Sequence, residues 1–108
     1  MTAYNIVRVR VKPGSEDALI AHHDALLKSD GEQFKAAGMR RFSLIKTGDR
    51  TFCIIGEWDG FDSIVKARPQ MIKSLDGMRS MLEDLGHDLG VTDPVSGEAV
   101  AEYNITTH

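Results

Sequence analysis

The run from Gly38 to Ala67, GMRRFSLIKTGDRTFCIIGEWDGFDSIVKA, restricts the fold of this chain more than any other. Arg40–Leu44 and Phe52–Trp58 are rich in aromatic and β-branched residues, as strands are. Thr47-Gly48-Asp49-Arg50 between them reads as a short turn in which Gly48 supplies a positive φ. The second strand ends in Glu57-Trp58-Asp59-Gly60, and Phe61–Ala67 then takes up a helical pattern. A β-hairpin therefore feeds straight into a helix, with the only tryptophan of the chain at the junction.

The flanks complete the pattern. Tyr4–Val11 alternates: Asn5, Val7, Val9 and Val11 share one face, and Tyr4, Ile6, Arg8 and Arg10 the other. Pro13-Gly14-Ser15 stops this strand, and Glu16 and Asp17 suit the positive end of a helix. That helix is expected over Glu16–Ser29, with Leu19, His23, Leu26 and Leu27 as its buried stripe. Ser29-Asp30-Gly31 is expected to break it. A shorter piece, Glu32–Ala37, follows, anchored by Phe34 and Ala37 and ended by Gly38. After the hairpin, Pro69 is expected to open a long helix whose stripe of Met71, Leu75, Met78, Leu82 and Leu85 runs to Gly86. Gly86–Gly97 reads as a loop, and Ala99–Ile105 as the last strand.

Strand, helix, strand, strand, helix, strand is the split βαβ order of an α+β, ferredoxin-like fold, a four-stranded antiparallel sheet with both helices on one face. The other sheet face would carry Ile6, Arg8 and Arg10 beside Cys53 and Ile55. Such a surface is covered either by a second copy packed face to face as a homodimer or by its own arginine stems. Arg8, Arg10, Arg41, Glu57 and Asp59 are expected to form cross-strand ion pairs there.

A chain of 108 residues reads as one domain, 1–108, able to bury roughly two-thirds of its unfolded surface without staples. The net charge of −3, with acids and bases interspersed, argues against nucleic acid as a partner. No apolar stretch nears the ~20 residues of a membrane span, and no signal-peptide pattern opens the chain. Cys53 is the only cysteine, so no internal disulfide forms, and a reducing, cytoplasmic location is expected.

Few residues carry chemistry. His22 and His23 are neighbours on the first helix, ~100° apart, and cannot share one metal ion. No metal site is expected. His23 lies on the apolar stripe, where it is either a general base facing a pocket or a core-edge histidine bonded to a backbone carbonyl. His87 and His108 have no evident partner. Asn5 is the polar exception on the apolar face of the first strand, an orienter for a bound molecule or an amide at the strand's edge. Trp58 shares a strand face with Phe52. With Leu19 and Ile72 from the helices they would wall a flat aromatic pocket; the alternative is that Trp58 only fills the core. Cys53 in mid-strand is a small apolar residue, and Gly86, Gly90 and Gly97 form no dinucleotide fingerprint.

The stretches VKPGSEDAL, GMRRFSLIKTGDRTFCIIGEWDG and LEDLGHDLGVTDPVSGEAV together resemble the antibiotic biosynthesis monooxygenase-like family of the dimeric α/β-barrel superfamily. The resemblance covers nearly the whole chain, with Glu57-Trp58 its most family-like piece. It implies a homodimer through the sheet face and a pocket between sheet and helices within each subunit. It also implies oxygenation of a small electron-rich aromatic, a quinol or polyketide-like phenol, without cofactor, because a deprotonated phenol can itself pass an electron to oxygen. His23 would be the base, Asn5 the orienter and Trp58 a ring wall. The haem-degrading branch of the family uses an asparagine on the first strand, a tryptophan ending the hairpin and a histidine on the next helix. Trp58 matches, Asn5 is out of register, and the helix offers Arg68 and Lys73 in place of the histidine, so no haem is expected. A non-catalytic dimeric protein that binds a small ligand or serves in a stress response is the alternative reading.

Overall fold

The computed structural model describes residues 1–105, so His108 lies outside the described residues. Strands β1 (Ala3–Arg10), β2 (Met39–Gly48), β3 (Thr51–Trp58) and β4 (Asp93–Glu98) form one antiparallel sheet in the order β2-β3-β1-β4. Helices α1 (Glu16–Ala37) and α2 (Phe61–Asp76) pack on the same face. This is the α+β, ferredoxin-like arrangement.

The alternation of β1 and β3 places residues as their spacing requires. Val9, Phe52, Ile54 and Trp58 are buried beneath the helices. On the opposite face the register lines up Ser43, Ile55, Ile6 and Val95 in one row across all four strands. Two apolar clusters fill the space under the helices. One gathers Val9, Val11, Leu19, Phe52, Met78 and Leu82; the other gathers Ala3, Phe34, Trp58, Ile64 and Ala67.

Four elements depart from the expected boundaries. Helix α1 runs unbroken through Ser29-Asp30-Gly31. The Ser29 hydroxyl donates to the Leu26 carbonyl, and Phe34 one turn beyond Gly31 is buried against Trp58, so packing outweighs the ~1 kcal/mol that a mid-helix glycine costs. Helix α2 starts at Phe61 and carries Pro69 in its interior, then stops at Asp76, well short of Gly86. Beyond it a short 3-10 turn, Arg79–Met81, swings Leu82 off the helix axis to bridge Val11 in the core.

The last strand is Asp93–Glu98, within the expected loop, and residues 99–105 carry no strand. Pairing with β1 decides this, because Asp93 through Glu98 lie opposite Arg8 through Ala3. The hairpin turn also differs: the positive φ falls on Arg50 (57°), not on Gly48. Arg50 is held there by the carboxylate of Glu16 on its N–H, and its guanidinium donates to the Val11 carbonyl and to Glu83. Of the expected ion pairs, Arg8 meets Asp93, Arg10 meets Glu83, and Arg40 rather than Arg41 meets Asp59; Glu57 instead accepts the Tyr4 hydroxyl.

Candidate functional site

Between the sheet and the two helices lies a cavity of about 470 Å³, within the size range of small-molecule sites. Its floor is Asn5 and Val7 from β1, Ile54 and Gly56 from β3, and Phe42 from β2. Its roof is His23, Leu26 and Leu27 from α1 and Ile64, Met71 and Leu75 from α2. The exposed members of the lining are Arg68 and Ile72 on α2 and Pro94, Val95 and Ser96 on β4, so the cavity opens between α2 and the last strand.

His23 is 4% exposed and lines this space. Its Nδ1 lies 3.0 Å from the Leu19 carbonyl oxygen, one helical turn earlier. A carbonyl only accepts, so the proton sits on Nδ1 and the lone pair on Nε2. The ring stacks on Phe42, with centroids 5.5 Å apart and planes at 23°. Burial pushes the imidazole below its ordinary pKa and outweighs the opposing hydrogen bond to Leu19, so His23 is neutral at pH 7.

Asn5 is half-buried in the floor, and its Oδ1 accepts a 2.6 Å hydrogen bond from Trp58 Nε1. An indole N–H can only donate, which fixes the amide: the oxygen faces Trp58, and the NH₂ group is left as a donor. The backbone permits this contact because position 56 is glycine. A Cβ there would collide with Asn5 Oδ1 and stand 2.7 Å from Trp58 Nε1.

The expected wall residues divide into two groups. Ile72 lines the cavity at its mouth and is half exposed. Trp58, Phe52 and Leu19 are fully buried in the layer behind it and do not line it. Trp58 packs edge-on to Phe34 and reaches the cavity through Asn5. Four polar members of the lining, Arg68, Ser74, Thr92 and Ser96, are not among the pocket residues expected from the sequence. Ile64, Arg68, Met71 and Leu75 share one helical stripe, and that spacing was the available signal for Arg68. His22 stands outside the cavity, edge-on to His23 and 3.5 Å from the Ser74 hydroxyl. No group of three or more His, Cys, Asp or Glu side chains is gathered for a metal among the described residues.

No protein-family model matches the sequence, and no curated protein does. Solved structures do. A Deinococcus radiodurans protein, named provisionally as an antibiotic biosynthesis monooxygenase, aligns with a TM-score of 0.73 at 12% identity, over 97% of this chain and 99% of that one. A dimeric ferredoxin-like protein from an uncultured marine organism aligns with a TM-score of 0.69 at 15% identity, over 97% and 93%. A variant of SnoaB, a cofactor-independent oxygenase from Streptomyces nogalater, aligns with a TM-score of 0.64 at 14% identity, over 94% and 95%. These identities speak for the fold, which this chain shares along nearly its whole length with proteins provisionally named antibiotic biosynthesis monooxygenases and with one named a cofactor-independent oxygenase.

Proposed function

We propose that the chain is a cofactor-independent monooxygenase whose cavity takes a small electron-rich aromatic, a quinol or polyketide-like phenol. The observation that carries this reading is an apolar cavity interrupted in its interior by a neutral histidine and an oriented amide. His23 Nε2 would accept the phenolic proton, and the Asn5 NH₂ would donate to a substrate oxygen. Phe42, held parallel to His23, offers a flat wall, and Trp58 fixes Asn5 from behind. The kinship in fold with a named cofactor-independent oxygenase supports the same reading.

One observation favours a second reading. The burial that keeps His23 neutral also weakens it as a base, because its pKa moves further from that of a phenol. A non-catalytic protein that binds the same class of ligand needs no base at all.

In either case we propose a homodimer through the outer sheet face, where Ile6 and Ile55 sit between Ser43 and the exposed Val95, with the exposed Ile45 two residues further along β2. A dimeric relative in fold supports it. The cavity lies mainly on the other face, with Val95 common to its mouth and to this row.

Oxygen uptake with a panel of hydroquinones tests the activity. The wild type is expected to consume oxygen with at least one of them, and His23→Ala to do so about a hundredfold more slowly. Uptake that survives the substitution removes His23 from the chemistry. Binding without uptake establishes the second reading.

A further inference from the structure

We infer that the ligand of this cavity is an anion, an apolar body ending in one carboxylate, and that Arg68 at the mouth holds that carboxylate. The inference rests on the reading of the cavity as a small-molecule site and names the class of molecule.

Helix α2 presents Ile64, Arg68, Met71, Ile72, Ser74 and Leu75 to the cavity. Four of the six are apolar, one is a hydroxyl and one is a guanidinium. No aspartate, glutamate or lysine belongs to the lining, so Arg68 is its one charged group among the described residues, with His23 neutral inside. Three other surface arginines are matched by carboxylates, Arg8 by Asp93, Arg40 by Asp59 and Arg79 by Asp76, whereas the exposed Arg41, which does not line the cavity, forms no ion pair among the described residues either. Arg68 forms no ion pair and no side-chain hydrogen bond among the described residues.

An unmatched cation at the rim of an apolar hollow gives the hollow a positive potential, and low-polarity walls concentrate that field. The fork of a guanidinium fits the two oxygens of a carboxylate, and it stays charged at any working pH. One arginine with no second cation beside it suits a group of one negative charge rather than a phosphate dianion. A molecule anchored at Arg68 would extend its apolar part inward along Ile64, Met71 and Leu75, toward Asn5 and His23.

The rival role for Arg68 is to cover apolar surface with its methylene stem, which needs no ligand. Arg68→Met keeps an apolar stem and removes the charge, so it separates the two roles. The test is calorimetric titration of the full chain with 2-naphthoate and with its uncharged methyl ester. The wild type is expected to bind the acid about tenfold more tightly than the ester, the scale of a charged hydrogen bond. Added salt should weaken only the acid. Arg68→Met should bring the two affinities within about twofold of each other, and Arg68→Lys should retain part of the preference. Equal binding of acid and ester by the wild type overturns the inference, as does a preference that survives in Arg68→Met. If neither probe binds, the small-molecule reading of the cavity falls and this inference falls with it. Binding of both without preference spares that reading and sinks only the role of Arg68.

Discussion

Replacing Gly56 by alanine would force a methyl group into the contact between Asn5 and Trp58. The new Cβ would collide with Asn5 Oδ1 and lie 2.7 Å from Trp58 Nε1 and 3.3 Å from Cε2. The two neighbours differ in their freedom to move. Asn5 ends a short side chain beside the cavity and can swing away. Trp58 is fully buried against Phe34 and cannot. The Asn5–Trp58 hydrogen bond is therefore lost, and an indole N–H stays buried without a partner, at about 1–3 kcal/mol. Overpacking of the indole adds about 1–3 kcal/mol. The two penalties share one cause and do not simply add, so about 3 kcal/mol is expected, or some 10–15 °C in melting temperature for a chain of this size.

The emission of the sole tryptophan reports the site directly during urea unfolding. Asn5→Ala alone should cost only the hydrogen bond. Adding Gly56→Ala in that background should cost less than in the wild type, because one of the two collisions is gone. If Gly56→Ala melts within about 2 °C of the wild type, the close approach of these three residues is wrong, since a shift that small corresponds to well under 1 kcal/mol.

The depressed His23 pKa carries a pH dependence with a definite sign. Above about pH 6.5 the group is neutral in both states; below it the unfolded chain binds a proton that the native chain resists, so stability falls with pH until the folded histidine protonates too. His23→Gln should flatten that segment of a stability–pH curve, and an unchanged slope would show that the loss arises elsewhere. Leu82→Ala should cost about 2–5 kcal/mol in urea unfolding, because Leu82 is 3% exposed beside Val11; a loss under about 1 kcal/mol would mean that the segment after α2 is not packed as described. Ile55→Lys, in the middle of the outer sheet row, should turn a dimer into a monomer by light scattering; a wild type already monomeric at micromolar concentration refutes the proposed pairing.

The parts of the fold written locally were legible. Alternation in Tyr4–Val11 and Phe52–Trp58 assigned both faces of the central strands, and the hairpin with its following helix fell where Thr47–Arg50 and Gly60 place them. The parts decided by distant partners were not. Asp93–Glu98 contains Pro94 and Gly97, which disfavour a strand, yet β1 supplies the hydrogen bonds that make it one. Val100, Tyr103 and Ile105 have strand chemistry and find no strand to pair with, and they stay exposed. Ser29-Asp30-Gly31 carries a break signal that the burial of Phe34 overrules. The same division runs through the candidate site. His23 and Asn5 were visible as polar exceptions on apolar faces. That Trp58 stands behind Asn5 rather than in the wall depends on the absence of a side chain at position 56, which no periodicity reports.

The unbroken α1 has a consequence for how the molecule comes apart. Leu19 near one end belongs to the first apolar cluster and Phe34, about 22 Å further along the axis, to the second. A rod seated at both ends acts as a girder: neither half can melt while the other keeps its grip, and heating should release them in a single concerted step.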